Sequence, residues 1–190
     1  SLDDIIKKQV FNKIAAFSLT YNPRLSYEIS QIAPSEEDDY FRFSKLQGYV
    51  HDMGASMQGG VGGHAGLFGT AEDVSKVMQL FLNKGNYANN KIFNSDSFDL
   101  FNKRYFSNNR RGIGFDKPQL DDNVLSTCGC VSDESFGHSG FTGTYAWADP
   151  KDNLVYVFLS NRTYPTMRNN MISEYNIRTE VHRLIKEASE

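Results

Sequence analysis

Residues 137–141 read Gly-His-Ser-Gly-Phe, followed by Thr-Gly-Thr and then by the aromatic run Tyr145-Ala146-Trp147. An imidazole and a hydroxyl stand side by side among residues too small to hide the backbone. Three chemistries use such a combination: a serine nucleophile on a sharp turn, a histidine that binds metal, or the polar lip of an acyl-transfer site. The first needs G-x-S-x-G between a strand and a helix. Here Phe141 stands at the second glycine position, and Ser139 leads into a strand pattern, so the setting of a nucleophile elbow is missing. The second needs ligands at ordered spacing, and histidines 51, 64, 138 and 182 show no H-E-x-x-H or similar pattern. His51 and Asp52 could meet His64 and His138 only through the fold. The other three histidines therefore read as structural, with no metal or cofactor expected.

The elements that must position this stretch can be read from periodicity. Residues 3–17 put Ile6, Val10, Ile14 and Phe17 on one face of an amphipathic helix. A polar, proline-containing stretch follows to about residue 40, with Q-G-Y-V-H-D at 47–52 as a candidate strand. The acidic run at 36–39, E-E-D-D, reads as a solvated turn. Thr70 with Asp73 three places on makes a capping box, Val74, Val77, Met78 and Phe81 form the stripe of a helix, and Gly85 stops it. A shorter helix starts at Ser95 and carries Phe98 and Phe101. R-G-I-G-F at 111–115 has the pattern of a short strand. Two further strand patterns, ending at Asp149 and starting at Asn153, flank the turn D-P-K-D-N. The run L-V-Y-V-F-L at 154–159 lacks alternation, so both of its faces should be covered. After Pro165 a long helix should reach about Ala188, burying Met171, Tyr175, Val181, Leu184 and Ile185. The pattern is α+β: antiparallel strands flanked by helices, closed by a long C-terminal helix.

Taken in order, G-G-H-A-G-L-F-G-T-A-E-D-V at 62–74 region, R-G-I-G-F, His138-Ser139-Gly140 and the hairpin with its terminal helix resemble the C-terminal part of serine β-lactamase and penicillin-binding-protein-like enzymes, in their class C-like, esterase-like branch. The resemblance covers roughly residues 45–188. It implies that His138-Ser139-Gly140 stands where that superfamily carries Lys-Thr-Gly on the strand bordering the active site. His138 would take the lysine's place near the nucleophile. Ser139 and Gly140 would bind substrate, Ser139 by donating to a carboxylate or carbonyl. The Phe141 backbone N–H would be one oxyanion donor, a contribution on the order of 3 kcal/mol to the transition state. Small residues suit that role because they let the backbone approach a ligand. Thr142, Gly143 and Thr144 would shape the strand.

The superfamily's nucleophile is the serine of S-x-x-K. None of the eleven lysines (7, 8, 13, 45, 76, 84, 91, 103, 117, 151 and 186) has a serine three places earlier. Tyr87-Ala88-Asn89 matches the second motif, Tyr-x-Asn, but follows the glycine-rich segment instead of preceding it. Residues 1–190 are therefore expected to be a single incomplete domain, without its N-terminal strands and S-x-x-K helix, and inactive alone. Its expected partners are the missing N-terminal half or a second copy, and an acyl or cell-wall-derived substrate in the complete parent. The alternative is a non-catalytic accessory module that binds glycan or peptide. Y-F-R, Q-G-Y-V-H-D and S-N-R-x-Y-P also resemble the tail of long chains that begin with a family-3 glycoside hydrolase, β-N-acetylhexosaminidase-like, which implies a periplasmic or envelope location.

Composition narrows the rest. The net charge of −3 and scattered basic residues, densest at Arg110-Arg111, give no nucleic-acid footprint. No run of about 18 apolar residues exists to span a membrane. The first apolar segment carries Asp3, Asp4, Lys7 and Lys8, unlike a secretory signal, and the start at Ser1 fits a piece of a longer polypeptide. Cys128 and Cys130 have no second pair for a zinc site. A disulfide across one residue would be strained, so two free thiols are expected.

Overall fold

A computed structural model describes residues 1–121 and 126–189. Helix α1 (Leu2–Gln9) opens with a capping box between Ser1 and Asp4. It ends well before residue 17, because the chain tightens into a 3₁₀ turn over Phe11–Ile14 and reverses at Ala15, whose φ of 54° is left-handed. Tightening adds angle at each residue and rotates Phe17 off the stripe. Phe17 is consequently 69% exposed, while Phe11 and Ile14 are buried.

Strands β1 (Pro34–Asp38) and β2 (Ser44–Gln47) form an antiparallel hairpin. This overturns the reading of 36–39 as a solvated turn. Alternation along β1 sends Glu36 and Asp38 inward and Glu37 outward. Burial alone would raise the Asp38 carboxyl, but the N–H groups of Phe41, Tyr40 and Arg42 and the Arg42 guanidinium hold it at about 2. The candidate strand at 47–52 shrinks to Gln47, since Gly48 turns the chain at φ +76° and Asp52 caps the short helix α2 (Met53–Met57).

Helix α3 (Ala71–Leu82) starts where Thr70 and Asp73 place it. Thr70 Oγ1 accepts from the Asp73 N–H at 3.3 Å. The other half of the box is different: Ser18 Oγ accepts from the Thr70 N–H at 3.1 Å, and the Asp73 carboxylate accepts from the Ser18 N–H at 2.7 Å. Leu80, outside the expected stripe, is fully buried against Phe11, Ile14, Ala16 and Leu19. Met78 faces a second cluster with Phe98, Phe136 and Ala148, and half-buried Val74 packs against both clusters. Gly85 ends the helix segment at φ +94°. A small hairpin, β3 (Asn86–Tyr87) with β4 (Asn90–Lys91), then carries Tyr87-Ala88-Asn89, and Tyr87 packs on the Leu80 cluster. Helix α4 (Ser95–Asn102) buries Phe98 but leaves Phe101 54% exposed.

Segment 111–115 is not a strand. Its contribution is made by single bridges, Arg111 with Asp116 and Asp116 with Gly137. The main sheet is β5 (Phe136–Ser139), β6 (Tyr145–Asp149) and β7 (Leu154–Phe158), antiparallel in that order. One face, with Phe136 and Ala148, lies on α3; the other, with Tyr145, Trp147 and Tyr156, lies toward the C-terminal helix. Both faces of β7 thus have neighbours, although only Tyr156 within it is buried and Leu159, the last of the apolar run, is 40% exposed.

The C-terminal helix is broken into α5 (Met171–Glu174) and α6 (Ile177–Glu187) by Asn176 at φ 51°. Helix α6 docks by a largely polar stripe, with Val181, as expected, packed on the Tyr145, Trp147 and Tyr156 cluster. Arg178 reaches the Thr144 carbonyl, His182 stacks on Tyr156, and Lys186 pairs with Asp152 and the Cys130 carbonyl. Met171, Tyr175 and Leu184, expected in the core, are therefore more than half exposed, Ile185 is 36% exposed, and Ile172 and His182 are buried instead. Cys128 and Cys130 are also unlike the expected free thiols: they form a disulfide. Gly129 bends at φ +70° and sets their Cα atoms 5.1 Å apart, inside the ordinary range for a bridge.

Candidate functional site

Strand β5 forms one edge of the main sheet, and its first half is already occupied. The Asp116 N–H donates to the Gly137 carbonyl at 2.8 Å, and the Gly137 N–H donates back at 3.1 Å. Outward and inward groups alternate along an antiparallel strand. His138 therefore turns its backbone groups to Ala146, and Ser139 turns its own outward again. The chain then closes a tight turn: the Gly140 N–H donates to Thr144 at 2.7 Å and the Gly143 N–H to Gly140 at 3.0 Å. Because a trans peptide sets its C=O and N–H in opposite directions, the Gly140–Phe141 peptide aims its N–H away from the turn. Among the described residues nothing accepts from the Phe141 N–H.

The glycines serve packing more than open space. A Cβ at Gly140 would lie 2.2 Å from Thr144 Oγ1, and one at Gly143, where φ is +101°, would lie 2.2 Å from Ser160 Oγ. Thr142 to Thr144 thus build the turn between β5 and β6, and the strand itself begins only at Tyr145.

His138 is exposed, with both ring nitrogens engaged. Nδ1 lies 2.7 Å from the Ser139 carbonyl, and Nε2 lies 2.9 Å from Arg111 Nη1. A guanidinium only donates, so Nε2 accepts and Nδ1 carries the hydrogen. Arg111 Nη1 is also 3.0 Å from Asp116 Oδ1, and Arg110 Nη2 is 3.1 Å from Asp116 Oδ2. Asp116 is buried, so one carboxylate anchors both arginines beside the strand edge. Sequence reasoning missed this trio; its only visible signal was the Arg110-Arg111 pair.

The Ser139 side chain lines a cleft of about 550 Å³ together with Asn109, Arg110, Tyr145, Arg178 and Thr179. Burial lowers the basicity of Arg178 and pushes the Tyr145 phenol well up. With two guanidiniums, the Asp121 carboxylate and several hydroxyls and amides in its lining, the cleft suits a polar, carbonyl-rich ligand.

Of the remaining histidines, His51 comes near this stretch, its ring centroid 5.5 Å from that of Phe141, while His64 and His182 have other partners. His51 Nε2 is 2.9 Å from Glu36 Oε2, and Glu36 also accepts from the Tyr40 hydroxyl at 2.9 Å and the Met167 N–H at 2.8 Å. His64 bonds Asp52 at 3.1 Å, and His182 is buried under β7. His51, His64 and His138 thus have separate partners, and among the described residues no group of three or more His, Cys, Asp or Glu could hold a metal ion. No helix among them is long and apolar enough to cross a membrane.

Known proteins share sequence and fold with this chain. The family model described as beta-lactamase matches residues 1–177. A protein of Escherichia coli K12 named "Putative D-alanyl-D-alanine carboxypeptidase" is 31% identical over 86% of this chain and 40% of its own length. A protein of the same name from Salmonella agona is 29% identical over 90% of this chain and 43% of its own length. The chain thus spans about two-fifths of these relatives. Among solved structures, a beta-lactamase from Mycobacterium bovis superposes with a TM-score of 0.54 at 15% identity, covering 91% of this chain and 56% of that one. A penicillin-binding protein homologue from Caulobacter crescentus gives 0.53 at 14% identity, covering 85% and 47%. At such identities the two structures speak for the fold.

Proposed function

The chain belongs to the beta-lactamase family, whose model its residues 1–177 match, and from that premise we propose that it supplies the substrate-facing strand edge of a serine acyl-transfer site. The family consists of β-lactamase-like and penicillin-binding-protein-like serine hydrolases. The observation that carries the reading is the outward Phe141 N–H, without an acceptor among the described residues, at the end of β5 and two residues from Ser139, which lines a cleft with two arginines.

In this reading a serine Oγ on polypeptide outside residues 1–190 attacks a substrate carbonyl. The carbonyl oxygen takes the negative charge and accepts from the Phe141 N–H and from the nucleophile's own N–H. The bond to the leaving amine or alcohol breaks, and that group departs with the proton the serine hydroxyl gave up. Water then attacks the acyl-serine and regenerates the hydroxyl. His138 would stand where the superfamily carries its lysine, exchanging its Arg111 or Ser139 partner for a hydrogen bond to the substrate, while Ser139, Arg110 and Arg178 would hold a substrate carboxylate. The names of the curated relatives favour a peptide ending in D-alanyl-D-alanine, and with it a periplasmic or envelope setting. A family-3 glycoside hydrolase on the same polypeptide is the further arrangement implied by the resemblance.

The rest of the domain would also cover large apolar side chains such as Leu25, Phe43 and Met57, which are 86%, 76% and 76% exposed. The test uses the intact gene product. Labelling with a fluorescent penicillin or a fluorophosphonate, followed by peptide mapping, should mark a serine outside residues 1–190, and D-alanine should be released from a D-alanyl-D-alanine peptide. A label on Ser139, or neither label nor release, would refute the proposal.

A further inference from the structure

Arg162 grips the turn after β5 in three ways. Its Nε donates to the Phe141 carbonyl at 2.7 Å, its backbone N–H donates to the Thr142 carbonyl at 2.9 Å, and its guanidinium carbon lies 4.4 Å from the centre of the Phe141 ring. We infer that Arg162 is a positioning residue for the proposed oxyanion donor: it locks the turn in the form that keeps the Phe141 N–H facing outward. The inference rests on the serine-hydrolase reading above.

The turn runs from Gly140 to Gly143, so the Phe141–Thr142 peptide is its central one. Flipping that peptide interconverts the common turn types. The Arg162 Nε bond holds it in one orientation, and the Thr142 bond fixes the following residue. With the centre fixed, the Gly143 N–H can close on the Gly140 carbonyl, which sets the peptide whose nitrogen belongs to Phe141. The Phe141 ring is 61% exposed and also meets the His51 ring at 5.5 Å between centroids, but that contact holds the side chain and leaves the orientation of the central peptide to Arg162.

The brace is itself anchored. Arg162 Nη1 donates to the carbonyls of Met167 at 3.0 Å and Asn169 at 2.7 Å. The loop that carries it is stitched to β1. Asn161 Nδ2 donates to the Pro34 carbonyl at 2.9 Å, Thr163 Oγ1 to the Ser35 carbonyl at 2.6 Å, and the Met167 N–H to Glu36 Oε1 at 2.8 Å. A planar guanidinium presents donors at fixed angles to carbonyls on two segments at once; an ammonium cannot hold that geometry.

In the intact protein, Arg162→Ala should lower kcat by about 100-fold, the scale of a 1 Å misplacement, with KM moving less than about threefold. Gly143 amide exchange should quicken by about tenfold or more, read by NMR, because its bond depends on the closed turn. Arg162→Lys, which keeps the charge without the fork, should lose at least about tenfold in kcat. Arg168→Ala, on the same loop but paired with exposed Asp39, is the control that should retain full activity. Unchanged kcat or unchanged Gly143 exchange in Arg162→Lys would overturn the inference, as would a loss carried by KM alone. Should Arg162→Ala fail to fold, the lysine variant decides. If the wild-type protein turns over no ester or amide, the serine-hydrolase reading falls, and Gly143 exchange judges the brace separately.

Discussion

Between pH 7.5 and 5 the stability of this fold should be governed by His182. The ring is 1% exposed, stacks on Tyr156 at 4.7 Å between centroids, and has no partner for Nδ1 among the described residues. Burial, with Lys186 adding repulsion and Asp149 and Asp152 opposing it, lowers its pKa from 6.5 to about 4. The unfolded chain therefore binds a proton that the folded chain refuses. The group costs nothing above pH 6.5, and stability falls as pH drops from there toward 4. At 1.36 kcal/mol per unit, the loss is about 2 kcal/mol by pH 5 and about 3 kcal/mol by pH 4. Asp38 acts in a separate window. Its carboxyl, held at about 2, contributes stability above 3.8 that disappears only as pH falls through 2. Urea unfolding at pH 7.5 and 5.0 measures the difference, and His182→Phe keeps a ring on Tyr156 while removing the titration. The wild type should lose about 2 kcal/mol over that interval and the variant almost none. Parallel pH dependence in the two proteins would refute the assignment.

Two other outcomes follow from packing and from the cysteines. Gly137→Ala would put a Cβ 2.2 Å from the Ala146 carbonyl oxygen and 2.3 Å from the Trp147 ring. It should destabilise the chain by about 1–3 kcal/mol in the same urea assay, the usual range for an overfilled core. Alkylation of the native, unreduced protein should modify neither Cys128 nor Cys130, and reduction should expose both to reagent, as mass spectrometry would read directly.

The local signals were the legible ones. Thr70, Gly85 and the D-P-K-D-N turn each act within a few residues of themselves, so the start and stop of α3 and the β6–β7 hairpin could be read from the string. What escaped depends on distant partners. E-E-D-D looks like a solvated turn until Met167 and His51 arrive to take up Glu36. On the C-terminal helix only part of the apolar face packs inward, through Val181, because Arg178, His182 and Lys186 take the Thr144 carbonyl, the Tyr156 ring and the Cys130 carbonyl beside it. The same limit applies at the candidate site. His138, Ser139, Gly140 and Phe141 stand out by type, but Arg111, which bonds the imidazole, lies in a segment that reads as a short strand, and Asp116, which anchors Arg111, follows just after it.

The stitching of the 160–169 loop to β1 has a consequence for biosynthesis. Asn161, Thr163 and Met167 close contacts with Pro34, Ser35 and Glu36 across more than 125 residues of sequence. Contacts that far apart form late, since the intervening chain must first surrender its freedom. While the polypeptide is still emerging from the ribosome, the hairpin at 136–149 exists without its clasp, and the site acquires its final shape only after residue 169 has been released and the 160–169 loop has met β1.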